Sequence, residues 1–418
     1  MMTQAFYTGI SGLRTHSTGI DVVSDNLANI QTVGYRGYNV EFKSLFENTQ
    51  NSTTNSVSNN SIGLGSQVQT TSMIQSNGSM QITDRNTDLA IHGNGWFGIE
   101  ANGEKVYTRG GNFTFDANND LVTVDGYHVL GTMGGNIQDG KLTSVIDSVP
   151  LGNVNSQQQL RFPKTLTYPP EATSNVSFAA NLGINPIVRT VSAVVIDPNG
   201  TRNHLRLEFT KDPHQTQPGS QWNVKATTQS LDGKTIYDTK RGRVEFDHTG
   251  GLTSSTLTTI DNHGATVRMD LGSAFSGIVA MNTPVIAGSS TADGTIGGDL
   301  RGYEINQNAE VIATFTNGMQ SSVGKIAVYH FQNDQGLERL SGTRFKESSN
   351  SGKAMFYQNS NGQNIIGTNV SNFRLESSNY SIEAGLTELI ILQRAFDANS
   401  KSVTTADEMV QKALQMDA

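Results

Sequence analysis

Residues 6–30, FYTGISGLRTHSTGIDVVSDNLANI, carry the pattern from which the rest of the architecture follows. Apolar side chains recur in this stretch at intervals of seven residues. They form a first row of Phe6, Leu13, Ile20 and Leu27 and a second row of Val23 and Ile30. A strict seven-residue repeat keeps one apolar seam facing a partner helix, which is coiled-coil geometry. The pattern therefore predicts a long helix with a helical partner.

Three glycines interrupt this predicted helix, Gly9, Gly12 and Gly19. Each glycine in a helix interior costs about 1 kcal/mol relative to alanine, so the helix is marginal on its own. We therefore expect the N-terminal segment to become ordered only against a partner. An ordinary amphipathic helix packed on its own domain is the alternative that periodicity leaves open.

The same repeat returns at the other end of the chain. Its members are Ile382, Leu389, Phe396, Val403 and Val410, with Leu392, Ala406 and Ala413 beside them. Two lone terminal helices with complementary seams have an obvious partner in each other. We therefore expect the two ends of the chain to pair as a coiled coil.

Between the helices the sequence predicts β-strands. Turn residues separate apolar runs, as in Asp116-Ala-Asn-Asn-Asp120 and Asp197-Pro-Asn-Gly200. The predicted strands are Lys105–Phe115, Leu121–Leu130, Val191–Ile196, His204–Phe209, Gln221–Ala226, Lys234–Tyr237, Arg243–Phe246, Val311–Phe315 and Lys325–Phe331. The polar run Asn48–Ser61 has almost nothing to bury, so we expect a loop or linker there.

The predicted fold class is α+β and mainly β, with discontinuous domains nested in one another. The length of 418 residues agrees with about three domains. The predicted divisions are a terminal helical coiled-coil core (residues 1–32 with 380–418), a connecting segment (33–70 with 356–379), an inner β domain (71–150 with 301–355) and an outer β domain (151–300).

Composition excludes several classes of protein. Zero cysteines exclude disulfides, thiolate metal sites and cysteine nucleophiles. A net charge of −8, with lysine and arginine scattered singly, argues against nucleic-acid binding. No apolar run approaches the roughly 18 residues that a membrane-spanning helix needs, so we expect no membrane insertion. No cleavable secretory signal is visible, which leaves export routes that read none.

No motif makes a positive case for catalysis. Residues Gly93–Gly98 formally match the dinucleotide fingerprint, but a turn and a strand are predicted where that cofactor needs a helix. Asp84 and Asp88 are the right type for a glycosidase carboxylate pair, yet they lie in a turn-like polar segment. The histidines show no metal-ligand spacing. We therefore predict no catalytic, cofactor-binding or metal-binding residues.

Several segments resemble the bacterial flagellar rod and hook proteins. At the N-terminal end these are residues 8–13 (TGISGL), 20–29 (IDVVSDNLAN) and 32–36 (TVGYR). At the C-terminal end they are residues 373–379 (FRLESSN), 388–396 (ELIILQRAF), 398–401 (ANSK) and 405–409 (TADEM). Residues 88–97 (DLAIHGNGWF) and 107–113 (YTRGGNF) resemble the inner β domain of that family. The family pattern leads us to expect Gly or Ser at position 24 and Asn at position 25, where this chain has Ser24 and Asp25.

The large insertion at residues 151–300 is most similar to the outer domain of the hook members of this family. The resemblance implies a structural subunit, not an enzyme, that polymerises helically with copies of itself into a curved, flexible tube. Such a tube acts as a universal joint between rod and filament, outside the cell at the basal-body end of the flagellum. The implied partners are the distal rod, the hook cap, the hook–filament junction proteins and the flagellar type III export apparatus.

The resemblance also implies which residues hold the helical core. The expected seam residues are Leu13, Ile20, Val23, Leu27, Ile30, Ile382, Leu389, Leu392, Phe396, Val403 and Val410. Polar candidates for contacts between neighbouring subunits are Asn26, Asn29, Gln393, Arg394 and Asn399, for each of which a solvated helix face is the alternative. A distal rod or hook-junction protein is the nearest alternative function, and a secreted β-rich adhesin or glycan hydrolase is an alternative of another class.

Overall fold

The computed structural model describes residues 2–46, 63–185, 188–215, 219–283 and 288–416. Helix α1 spans Met2–Ala28 and helix α2 spans Ile382–Met416, so both predicted terminal helices are confirmed. Between them the chain is mainly β-strand, with short 3₁₀ turns at Val154–Ser156 and Asp334–Gly336. The loop expected at residues 48–61 lies outside the described residues.

A two-stranded antiparallel hairpin covers one side of α1. Strand Tyr38–Phe46 pairs with strand Gly63–Met73. The hydroxyl of Thr15 donates to the Ser66 carbonyl at 3.0 Å, and the His16 ring packs edge-on against Phe42 with centroids 5.9 Å apart. The sequence pattern does not predict these strands. Their register shifts between Glu41 and Phe42, and such a bulge interrupts the alternation by which a strand is recognised.

The largest sheet of the described residues has 15 strands and is called the inner sheet below. Eleven strands follow one another in the order Ile137–Gln138, Lys141–Leu142, Thr167–Tyr168, Gly298–Ile305, Glu310–Phe315, Gln320–Ile326, His128–Met133, Trp96–Ala101, Glu104–Thr108, Arg344–Lys346 and Glu338–Arg339. Four more attach to its side: Gln158–Gln159, Val328–Tyr329, Phe113–Phe115 and Leu121–Thr123. Three two-stranded ribbons complete this part: Met80–Ile82 with Arg374–Glu376, Leu89–His92 with Asn369–Asn372, and Tyr357–Gln358 with Asn364–Ile365.

The first hydrophobic core belongs to this sheet. Its aromatic centre packs edge to face: the Tyr107 ring lies 5.2 Å from that of Tyr329 and 4.8 Å from that of Phe331. Such pairs stabilise a core beyond the area that they bury. Leu160 and Phe162 also belong to this core, although they follow residue 150.

Two smaller sheets enclose the second hydrophobic core. One contains the strands Val188–Ile196, Arg202–Lys211, Ser220–Ser230, Ile236–Phe246 and Leu252–Ser255 in that order. The other contains Thr259–Asn262, Ala265–Asp270, Asn175–Asn181, Ser276–Val279 and Gly272–Ser273, with Ser289–Ala292 attached to Asn175–Asn181. All buried members of this core lie between Val176 and Ala280, so one continuous stretch of chain builds it.

The strands predicted around Asp197 are confirmed. Val188–Ile196 and Arg202–Lys211 pair antiparallel, and the Asp197 carboxylate accepts from the N–H groups of Asn199 and Thr201 at 3.0 and 2.8 Å. These bonds form the turn that the residue types predict. In the second strand Leu205, Leu207 and Phe209 are buried and their neighbours are more exposed, as the alternation predicts.

The predicted strand Lys105–Phe115 is wrong as a single strand. It is divided into Glu104–Thr108 and Phe113–Phe115. A Cβ placed on Gly111 would lie 1.9 Å from the Leu89 carbonyl oxygen, so the backbone here passes directly against another segment instead of continuing a ladder. The hairpin around Asp116 is confirmed in its shorter form, Phe113–Phe115 with Leu121–Thr123.

Candidate functional site

The two terminal helices lie side by side and run in opposite directions. Along α1, Gly9 lies against Val403, Gly12 against Asn399 and Gly19 against Leu392. Further on, Leu27 lies against Gly385. Residues later in α1 therefore contact residues earlier in α2, which is an antiparallel arrangement. The helices are partners within one chain, while their supercoiling stays a prediction.

The glycines of α1 are the points of closest approach between the helices. A Cβ placed on Gly9 would lie 2.6 Å from Cγ2 of Val403, and one on Gly12 would lie 2.7 Å from the Asn399 side chain. A Cβ on Gly19 would meet the Leu392 methyl groups at 3.1 Å. Because glycine lets backbones approach closely, the residues that weaken α1 alone create the surface on which α2 lies.

The predicted seam residues lie at three depths. Val23 and Leu392 are buried, with 1% and 5% of their surface exposed. Leu13, Ile20, Leu27, Ile30, Leu389, Phe396 and Val403 are half-buried. Ile382 and Val410 are exposed. The buried residues of α2 are Gly385, Leu392 and Ala406, which are seven and fourteen residues apart. Gly385 has no side chain, so the apolar repeat does not predict it.

Among the polar candidates, Asn26 is used within the chain. It is buried, and its amide donates to the Tyr38 carbonyl at 2.7 Å while its oxygen accepts from the Tyr38 N–H at 3.0 Å. Asn29 and Asn399 donate to carbonyls one turn earlier in their own helices, those of Asp25 and Ala395. Asn26 therefore connects α1 to the neighbouring hairpin.

Gln393 and Arg394 are exposed on α2. Neither makes a hydrogen bond or ion pair within the described parts of the chain. Their assignment as contacts between subunits stays a prediction.

Helix α2 begins on well-defined polar contacts. The Ser381 hydroxyl accepts from the Ala384 N–H at 3.3 Å, which satisfies a free donor of the first turn. The Tyr380 hydroxyl donates to Glu388 at 3.2 Å. Burial, and then the charge of Glu388, raise the pKa of Tyr380 above its ordinary value. The tyrosine therefore remains a neutral donor that holds the first turns of α2.

Apolar side chains remain exposed around the helix pair. On α2 these are Ile382, Leu386, Ile390, Ile391, Met409, Val410, Leu414 and Met416, and on α1 they are Phe6 and Tyr7. Large apolar side chains that stay exposed together on one element are typical of an interaction site. The helix pair is thus incompletely covered by its own chain.

Neither a metal-ligand cluster nor a dinucleotide-binding turn is found among the described residues. Within them no three histidine, aspartate or glutamate side chains are grouped to hold a metal ion. After Gly93 and Gly95, both at positive φ, the chain enters strand Trp96–Ala101, so the dinucleotide motif lacks the helix that it needs. Neither α1 nor α2, nor any other helix in the described ranges, has the length and hydropathy to cross a membrane.

Three family patterns match separate parts of the chain. Residues 6–36 match the family described as "Flagella basal body rod protein". Residues 90–181 match "Flagellar hook protein FlgE/F/G D1 domain", and residues 372–416 match "Flagellar basal body rod FlgEFG protein C-terminal". The outer two cover the paired helices, and the middle one covers part of the inner sheet.

Relatives match over nearly the whole chain. The flagellar hook protein FlgE of Borreliella burgdorferi is 28% identical, with 99% of this chain and 100% of that protein covered. The FlgE of Escherichia coli K12 is 25% identical, with coverage of 97% and 98%. A crystal structure of the Helicobacter pylori flagellar hook protein FlgE2 has a similar fold, with a TM-score of 0.50 and 17% identity, over 71% of this chain and 100% of that one.

Proposed function

We infer that this chain, which belongs to the family of bacterial flagellar rod and hook proteins, is a structural subunit of the flagellar hook. It polymerises helically with copies of itself into a curved, flexible tube. The tube acts as a universal joint that passes torque from rod to filament. Its activity is mechanical, and we assign it no enzymatic reaction and no cofactor.

The observation that carries this proposal is the helix pair with its uncovered apolar side chains. Ile390 and Ile391 are 57% and 61% exposed, and Leu414 is 68% exposed. In a polymer the helix pairs of neighbouring copies cover these side chains, so burial that one chain cannot achieve drives assembly. An interface between different faces of identical subunits that does not close into a ring produces a helical filament.

The predicted seam residues belong to this core. Half-buried Leu389 and Phe396 lie between the buried row of α2 and its exposed apolar side chains, where they contribute both to the helix pair and to the contacts between copies. Gln393 and Arg394 supply polar contacts between neighbours. A seven-residue repeat on both helices favours coiled-coil packing of the pair.

We propose four nested parts for the chain: the helical core, the connecting segment, the inner β domain and the outer β domain. The two hydrophobic cores support the division of the last two. Leu160 and Phe162 pack in the first core, which favours an outer domain that begins near residue 172 instead of 151. Glu171 pairs with Thr295 through backbone bonds of 2.8 and 3.0 Å, so the chain leaves and returns to the inner domain at neighbouring positions.

The division suggests how the tube bends. The helical core transmits torque, while the outer domains of neighbouring copies slide past one another. Charged residues are only 16% of the chain, and its surface is rich in uncharged polar groups. Such surfaces lack the large hydrophobic side chains that fix an interface in one position.

The proposed partners follow from a place at the basal-body end of the extracellular flagellum. They are the distal rod at one end of the tube, the hook cap during growth and the hook–filament junction proteins at the other end. The chain reaches its site through the flagellar type III export apparatus. A terminal helix that is marginal on its own suits this route, because little structure has to be unfolded before export.

Immunogold electron microscopy on whole cells and isolated basal bodies tests the proposal. An antibody raised against residues 172–294 should label a short curved segment between the cell surface and the filament. Label at the rod alone, or at the junction alone, would move the protein to another position in the flagellum. Absence of flagellar label on cells that express the protein would overturn the proposal.

A further inference from the structure

Two charged clusters join the helix pair to the inner sheet. One is buried and contains Arg36, Arg109 and Glu376. The other is partly exposed and contains Asp25 and Arg339. Both clusters lie where the helix pair meets the inner sheet. They differ in burial, and burial decides how easily the ion pairs of each cluster separate.

The buried cluster holds both connections between helices and sheet. Glu376, which precedes α2, forms an ion pair with Arg36, which follows α1, at 3.2 Å, and accepts a hydrogen bond from Arg109 of the inner domain at 2.9 Å. All three side chains are more than nine-tenths buried. Arg109 also donates to the carbonyls of Gly93 and Gly95 at 2.9 and 2.6 Å. Opening this cluster would leave unpaired charges away from water, which is strongly unfavourable.

The partly exposed cluster connects only α1 to the sheet. Arg339, on the short strand Glu338–Arg339, donates to Asp25 in the last turn of α1 at 3.0 Å. Its guanidinium lies over the rings of Tyr35 and Tyr38, 5.3 and 5.2 Å from their centroids. The Tyr35 hydroxyl donates to Asp25 at 3.1 Å.

Near neutral pH, Tyr35 is neutral and Arg339 is charged. Burial raises the pKa of Tyr35 to about 12, an effect that the nearby Arg339 cation opposes. Burial works against the charge of Arg339, but its hydrogen bond to Asp25 and the nearby tyrosines raise its pKa overall. A cation therefore faces a carboxylate and two aromatic rings, which attract it by charge and by their negative faces.

We propose that Asp25, Arg339, Tyr35 and Tyr38 form a latch that fixes the direction in which the helix pair leaves the inner β domain, and that the pair turns about the Arg36–Glu376–Arg109 cluster when the latch opens. The side chains of Arg339 and Asp25 are 32% and 49% exposed, so water and salt compete for this ion pair. The inference concerns the single chain and holds whether or not the chain builds a hook.

The absence of cysteine from the chain makes the direction measurable. One spin label is attached at Asp397→Cys on the exposed side of α2 and another at Asp125→Cys in an exposed turn of the inner domain. Double electron–electron resonance on the full-length monomeric chain then gives the distribution of distances between them. We expect one narrow distribution in this labelled parent.

Arg339→Met in the labelled parent removes the cation but keeps an apolar side chain on the tyrosine rings. We expect a broader distribution or a second population. Ionic strength near 1 M should broaden the distribution of the parent and leave that of Arg339→Met unchanged, because it screens the same ion pair. The salt titration needs no substitution at the latch, so it tests the latch even if the variant folds poorly.

Lys346→Met is the matched control. It removes a similarly exposed ion pair, Lys346 with Glu104 at 2.6 Å, that lies entirely within the inner sheet. Its distribution should equal that of the parent. The latch is overturned if Arg339→Met and salt both leave the distances unchanged, or if Lys346→Met changes them as much as Arg339→Met does.

Discussion

Single glycines in α1 act in opposite ways on the helix and on its pairing. Gly9, Gly12 and Gly19 lower the stability of α1 as an isolated helix. The same residues allow α2 to approach so closely that no Cβ fits at Gly9 or Gly12 without movement of a neighbour. These glycines therefore make α1 less stable as an isolated helix and allow its close contact with α2.

Gly9→Ala tests this balance. Helix propensity favours alanine by about 1 kcal/mol, whereas a Cβ placed 2.6 Å from the stiff Val403 side chain overpacks the contact at a cost of about 1–3 kcal/mol. We expect a net loss of about 1 kcal/mol in helix-pair stability, measured by thermal unfolding with circular dichroism.

Ser17→Ala is the control for Gly9→Ala, because Ser17 is exposed on the same helix. It should stabilise α1 slightly. If Gly9→Ala stabilised the pair as much as Ser17→Ala, the helices would not approach as closely in solution as in the structure.

Asp293 makes the stability of the outer β domain depend on pH in the acidic range. Its carboxylate accepts from the N–H and hydroxyl of Ser174 at 2.8 and 2.6 Å and from the N–H of Asn175 at 3.0 Å. Burial alone would raise its pKa, but these hydrogen bonds outweigh burial and lower the pKa to about 2 from an ordinary value of 3.8. The charged form therefore stabilises the fold fully above about pH 4, and this contribution is lost as the pH falls towards 2.

We expect Asp293→Ala to lower the free energy of unfolding of the outer domain at pH 7 by at most ~1 kcal/mol, because an exposed carboxylate is screened by water. The difference from the parent should shrink between pH 4 and pH 2. Urea unfolding followed by the fluorescence of Trp222, which is buried in the second core, measures it in a Trp96→Phe background. A difference that stayed constant over this pH range would contradict the role of the charge.

Helix α2 has two faces with different surroundings. One face, with Gly385, Leu392 and Ala406, lies against α1, and the other leaves Ile390 and Ile391 uncovered. In the proposed assembly, the half-buried residues between these faces contribute to both contacts. A change there should affect helix pairing and polymerisation together.

The double variant Leu389→Asp, Phe396→Asp should abolish assembly, because it places two charges where apolar side chains are half-buried. The β domains should remain folded, with unchanged fluorescence from Trp96 and Trp222. Electron microscopy of the purified protein under polymerising conditions gives the result.

Ser402→Asp, Thr404→Asp adds the same number of charges at exposed positions of α2 that are not assigned to a contact between subunits, and it should leave assembly largely intact. Normal tubes from the Leu389→Asp, Phe396→Asp protein would refute the seam. Failure of the Ser402→Asp, Thr404→Asp protein alone would instead assign assembly to the exposed polar side of α2.

Sequence predicted those elements whose pattern is local. The seven-residue repeats located α1 and α2, and the Asp197 turn located a hairpin, because periodicity and turn residues act over a few positions. The hairpin on α1 was missed because a bulge at Glu41 breaks its alternation. The pairing of Arg109 with Glu376 was also missed, because the two residues are 267 positions apart and neither belongs to a recognisable motif.

Local sequence patterns also predict only part of the helix-pair site. Its helices and most of its half-buried apolar residues follow from spacing alone. The contact of Gly12 with Asn399 does not, because a glycine has the same sequence signature whether it breaks a helix or accommodates a partner. Asn26 was expected to face a neighbouring subunit, but its partner in this chain is the backbone of Tyr38.

The whole molecule combines one core built from separate stretches with one built from a single stretch. The first core contains residues from Met73 to Tyr168 and from Ile305 to Val370, whereas the second is continuous. Each core holds one of the two tryptophans, Trp96 in the first and Trp222 in the second. The unfolding of the two cores can therefore be followed separately in one protein by tryptophan fluorescence.

We expect the outer domain to be removable. Replacing residues 172–294 by a short turn joins Glu171 to Thr295, which already pair, and should leave the unfolding of the inner domain, followed by Trp96, within about 1 kcal/mol of the parent. Removing residues 151–300 instead deletes Leu160 and Phe162 from the first core and should destabilise it by several kcal/mol. Equal stability of the two shortened proteins would contradict the boundary near residue 172.

The opposite directions of α1 and α2 also govern where a reporter can be attached. Met2 and Met416 belong to the same end of the helix pair, so a fluorescent protein or affinity tag fused to either end of the chain would crowd the same packing surface. The exposed turn at Asp232-Gly233 joins two strands of the second core and lies outside that surface. An insertion there gives a visible chain that keeps its helices free to pack.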